Sequence, residues 1–173
     1  MIYKFCFLLF LLFFVSILFA QEYNTIIKDE ETGEPMLIGL TTRDAFQDSS
    51  FSLWWNSTYE LYDVDSVTVD KIKNVLQDAG ITIVMGTWCS DSQYEIPNFY
   101  KILDYLNYPS EKVTLINVDR NKKGKGDEVD SLDIKLVPTI IFYRSEKELG
   151  RIVESPEASL EKDIFGILTK GDD

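Results

Sequence analysis

Two uninterrupted apolar runs, Ile81 to Met85 and Val113 to Val118, flank a stretch in which Ile96, Phe99, Leu103 and Leu106 recur at helical spacing. Apolar runs this short and continuous read as strands covered on both faces. With a helix between them they make a βαβ unit, which commits the chain to a layered α/β fold. The segments on either side extend that pattern. Val69, Ile72, Val75, Leu76 and Ala79 form one face of a helix that Gly80 is expected to end. Downstream, a short helix is expected around Asp127 to Leu132, then a strand at Ile140 to Tyr143, a turn at Ser145 to Glu148 and a return strand at Gly150 to Val153. Ser155 followed by Pro156 reads as the start of a last helix, with Leu160, Ile164, Ile167 and Leu168 on its apolar face. The expectation is a mixed central sheet with helices on both faces.

The chemistry open to such a fold is narrowed by residues that are missing. The 173 residues include no histidine, which removes Ser-His-Asp and Cys-His catalysis and histidine metal sites together. Acidic residues outnumber basic ones by 29 to 17, a net charge of −12, so phosphate backbones and anionic lipid are not attracted. No nucleic-acid partner, metal or cofactor is expected. Lys122-Lys123-Gly124-Lys125-Gly126 lacks the spacing of a phosphate-binding loop and reads as a solvated turn.

Lys4 and the uncharged run Phe5 to Ala20 read as a secretory signal, too short for a comfortable membrane span and ending on a small residue before Gln21. Residues 1–20 are therefore expected to be removed from an exported protein, periplasmic or extracellular. Membrane attachment follows only if the segment stays uncleaved. Cleavage takes away Cys6 and leaves Cys89 alone, so no internal disulfide can form. Residues 21–65 read as an N-terminal extension packing on the domain formed by 66–173. It offers two short strands, at Ile26–Ile27 and Met36–Leu40, around the turn-forming Glu31 to Pro35. The aromatic-rich stretch Phe51 to Tyr62 reads as a helix that covers the core. Asn56-Ser57-Thr58 matches a glycosylation acceptor, a pattern that often arises by chance.

Trp88-Cys89-Ser90-Asp91-Ser92 leads out of the first apolar strand into the central helix. Pro97 follows eight residues after Cys89, and Val137-Pro138-Thr139 precedes the third strand. With these features in register, residues 66–169 resemble the thioredoxin superfamily. The resemblance implies a thioredoxin-like fold, a cis bond before Pro138, and a substrate groove shaped by Trp88, Val137 and Pro138 beside a nucleophilic Cys89. Helix N-termini stabilise anions, which independently suits a thiolate at that position. Three departures bear on mechanism. Ser92 stands where the family keeps its second cysteine, leaving a hydroxyl able to donate to the Cys89 thiolate but unable to resolve a mixed disulfide. Ile83 and Leu115 stand where the family buries a carboxylate and its lysine partner. Asp91 modulates the site by placing a negative charge beside Cys89. The reading is monothiol exchange with protein or small-molecule thiols and disulfides, resolved by an external thiol. The alternative is a redox-inactive binding module for partner proteins or peptides on the same fold.

Overall fold

The computed structural model describes residues 22–170, so the expected signal segment lies outside the described residues. Six strands form one sheet: β1 (Thr25–Lys28), β2 (Pro35–Thr41), β3 (Gly80–Met85), β4 (Val113–Asn117), β5 (Thr139–Arg144) and β6 (Lys147–Val153). Their spatial order is β1-β2-β4-β3-β5-β6. Only β3 and β4 are parallel, with Ile83 opposite Leu115, and the other neighbours pair antiparallel. The helices are α1 (Ser52–Leu61), α2 (Ser66–Leu76), α3 (Ser90–Tyr105) and α4 (Leu160–Thr169). This is a mixed α/β fold of the thioredoxin type.

Because side chains alternate across a strand, each strand contributes to two different layers. On one face lie Ile81, Ile83, Met85, Leu115, Ile140 and Phe142, and buried side chains from all four helices pack there. Helix α1 runs against α3 and α2 against α4. The extension is integral to this layer: Trp55 of α1 is 1% exposed and stacks on Phe46 at 4.0 Å, beside Tyr100 of α3. The extension also reaches the sheet, since β2 pairs antiparallel with β4.

The opposite face is thinner. Val84 and Ile116 pack there with Val118, Val129 and Val137, and Leu132 and Ile134 close the cluster. The short helix expected at 127–132 is instead a run of turns. Asp130 N–H bonds to Asp127 O and Leu132 N–H to Val129 O, three residues back rather than four. Glu128 accepts from Gly126 N–H, and Asp133 adopts a φ of 51°. An acidic segment this short, with only Val129 and Leu132 apolar, has too few apolar positions to hold a regular helix against the sheet.

Three further boundaries move. Helix α2 stops at Leu76, and Gly80 opens β3 instead of simply terminating the helix. Ser159, not Ser155, caps α4, its Oγ accepting from Lys162 N–H. The Asp163 carboxylate takes the N–H groups of Glu157 and Ala158, which holds Pro156 in a loop. The β5–β6 turn is tighter than the sequence suggests. Ser145 and Glu146 both take positive φ, the geometry of a two-residue hairpin turn, so the return strand begins at Lys147.

Candidate functional site

Strand β3 ends at Met85, and the chain turns over Gly86-Thr87-Trp88 so that Cys89 becomes the N-cap of α3. The turn is closed by Cys89 N–H to Gly86 O at 3.0 Å, and the helix opens with Gln93 N–H to Cys89 O at 3.0 Å. Glycine is required at 86 by the Trp88 indole: a Cβ there would lie 2.5 Å from the ring. Gln93 Nε2 donates to Thr87 O at 2.7 Å, and Thr87 Oγ1 accepts from Leu37 N–H, which ties β2 to the turn.

Cys89 is half-buried. Its Sγ donates to the Val137 carbonyl at 3.2 Å, across 48 residues of sequence. The Val137–Pro138 peptide bond is cis. Pro138 O accepts from Glu154 N–H, and Thr139 Oγ1 donates to Leu136 O, which anchors the proline turn to both neighbouring segments. Trp88 packs with the cysteine against the cluster formed by Val84, Ile116 and Val137. Its Nε1 donates to Val118 O at 2.9 Å, and Arg120 and Lys122 lie over the ring at 5.2 and 5.8 Å. The Arg120 guanidinium is held by Asp29, which receives both Nε and Nη2. That pairing keeps the Asp29 carboxyl at about 2, well below the usual range.

Cys89, Trp88, Val137 and Pro138 thus converge on one spot. Ser92 lies under the turn instead. It is fully buried, and its Oγ accepts from Gly86 N–H at 3.3 Å, with no hydrogen bond to Cys89. Asp91 is exposed in the first turn of α3. No group of histidine, cysteine, aspartate and glutamate among the described residues could hold a metal ion. Likewise, no helix among them is long and apolar enough to cross a membrane.

No family model matches the chain. Thioredoxin H9 of Arabidopsis thaliana is 26% identical over 101 residues, covering 57% of this chain and 68% of its own length. A thioredoxin-like protein of Acanthamoeba polyphaga mimivirus is 24% identical over 102 residues, covering 57% and 72%. These similarities support membership of the thioredoxin superfamily. Among solved structures, the oxidised mitochondrial thioredoxin 3 of Saccharomyces cerevisiae is similar at 22% identity. That match covers 56% of this chain and 87% of the other, with a TM-score of 0.37.

Within this thioredoxin fold, Ile83 and Leu115 are fully apolar and face each other in the β3–β4 register, so no ionisable group lies between them. A buried carboxyl does occur on α3, at a position the sequence reading missed. Glu95 of α3 is 9% exposed and lies on the same buried stripe as Ser92, Ile96 and Phe99. Burial, reinforced by Asp91 one turn earlier, pushes its carboxyl up to about 7. The signal was present in the sequence, since a glutamate interrupts the apolar period between Ser92 and Ile96. Pro97, inside the helix, removes one backbone donor two residues later.

Proposed function

We propose that the protein performs monothiol thiol–disulfide exchange through Cys89, as an exported thioredoxin-fold protein released after residue 20. The observation that carries this reading is a half-buried cysteine at a helix N-cap, its sulfur against the Val137 carbonyl beside Pro138. The Cys89 thiolate attacks one sulfur of a substrate disulfide. A Cys89–substrate S–S bond forms, the original S–S bond breaks, and the leaving sulfur departs as a thiolate that takes a proton from water. Ser92 has no sulfur with which to displace the bound substrate. An external thiol must attack the mixed disulfide, which returns Cys89 as thiolate and carries the substrate away as a new disulfide.

A second reading, a binding module on the same groove, is favoured by one feature: the paired positions 83 and 115 in β3 and β4 are apolar, so they supply no proton-transfer group. A disulfide-reduction assay separates the two. Wild type should turn over only with added glutathione, Cys89→Ser should be inactive, and Ser92→Cys should gain an internal disulfide and modest thiol-independent turnover. Equal activity in wild type and Cys89→Ser overturns the exchange reading and leaves the binding module. Export is tested by N-terminal sequencing of the native protein, with Gln21 as the expected first residue.

A further inference from the structure

We infer that a cavity beside Trp88 is a specificity subsite for a basic side chain, so that Cys89 exchanges preferentially with disulfides flanked by lysine or arginine. The inference rests on the exchange reading of Cys89. The cavity, about 400 Å³, opens against Thr87, Trp88 and Gln93 at the foot of α3, and its far wall is the β1–β2 turn with Trp54 of α1. That wall comes from residues 29–54, outside the thioredoxin-like core. It therefore gives this chain a surface of its own against Trp88, the residue that precedes Cys89. A space of this size takes one long side chain and leaves the attached backbone free to reach the sulfur.

The charges and hydrogen-bonding groups facing the cavity favour a cation. Arg120 also faces it, but its charge is answered by Asp29 at 2.7 Å and by Glu31 at 3.3 Å. Asp29 is 3% exposed and already accepts Arg120 and the Glu31 N–H. The Glu34 carboxylate, by contrast, has no partner among the described residues and stands on the rim. Gln93 commits its amide N–H to Thr87 O, which leaves its amide oxygen as a free acceptor. The groups left over are acceptors, and the walls supply two indoles, Trp54 and Trp88, whose faces attract cations. The Trp88 ring is already covered by Arg120 and Lys122, so the indole left to receive a further cation is that of Trp54. With Asp91 beside Cys89 and a net charge of −12, an approaching acidic segment is repelled and a basic one is steered in.

The test uses three short peptides with one cysteine activated as a mixed disulfide with thionitrobenzoate and flanked by arginine, alanine or glutamate. Rate constants for Cys89 in the full chain are divided by those of free glutathione, which removes the intrinsic reactivity of each peptide. The arginine peptide should react about fivefold faster than the alanine peptide, and the glutamate peptide more slowly still. Glu34→Lys should abolish or invert the preference. Glu111→Lys, the same charge change in the turn before β4, should leave it in place. Equal rates with all three peptides overturn the inference alone. Equal loss of preference in both variants also overturns it, because the preference would then belong to net charge. Failure to react with any peptide overturns the exchange reading and this inference with it.

Discussion

The two faces of the sheet are built from the same strands yet differ in substance. One carries four helices over large side chains, with Trp55, Phe46, Phe99 and Phe142 buried together. The other carries a run of turns over a small aliphatic cluster, Val84, Ile116, Val118, Val129 and Val137. Cys89 belongs to the thin side, where it and Trp88 pack against that cluster. Bulk stability and the site are thus carried by different layers. The thick layer buries most of the large side chains while the thin one leaves Cys89 half-buried beside a proline turn.

The sharpest way to break this contrast is to remove an aromatic from the thick layer. Trp55→Ala should cost about 3–5 kcal/mol, because the indole is 1% exposed and stacked on Phe46. Denaturant unfolding measures it, and a cost below that of a thin-layer deletion would contradict the division.

The next effect concerns the carboxyl on the buried side of α3. The Glu95 group is raised to about 7 in the folded protein, against an ordinary 4.5, so the folded state binds its proton more tightly than the unfolded chain does. Its neutral form is fully compatible with folding below the ordinary range, and stability falls as pH rises from there through about 7. Glu95→Gln should remove this slope and be about 2 kcal/mol more stable than wild type at pH 8, with little difference at pH 4. Melting temperatures across pH check it, and parallel curves for the two proteins would show that Glu95 is solvated.

Val129→Ala samples the thin layer and should cost only about 1–1.5 kcal/mol, the transfer value of two buried carbons with little cavity term. The smallest change is expected at the edge of that layer. Asp29→Asn loosens Arg120 from its place over Trp88 and should lower the melting temperature slightly at neutral pH. Because the Asp29 carboxyl is depressed to about 2, its contribution is present above the ordinary value of 3.8 and is lost as pH falls toward 2. The variant and wild type should therefore converge in acid. Trp88 fluorescence reports the same change locally.

The elements that were legible share one property, a pattern contained within a dozen residues. The strands at 81–85 and 113–117, the periodicity of α3 and the two short strands around Glu31–Pro35 all came from such windows. The run at 127–132 misled because its few apolar residues, Val129 and Leu132, suit a turn against the sheet as well as they suit a helix. Pro156 misled in the same way: the loop that holds it depends on Asp163, a residue beyond the local window.

For the site, the local sequence determined that a cysteine would begin a helix directly after a buried strand, since the apolar run before it and the helical periodicity after it sufficed for that. It also determined that no second thiol is available, because Ser92 occupies the position. Only the tertiary structure decided where the Cys89 sulfur points, for its partner is the Val137 carbonyl on a distant turn. Ser92 was likewise turned away from the sulfur by the Gly86 N–H, and Glu95 was buried by the packing of α3. The cavity beside Trp88 needed residues 29–54 folded back onto the turn. The physical reason is common to all four. Short-range patterns fix which element forms, whereas hydrogen-bond partners and burial depend on which faces of remote elements meet.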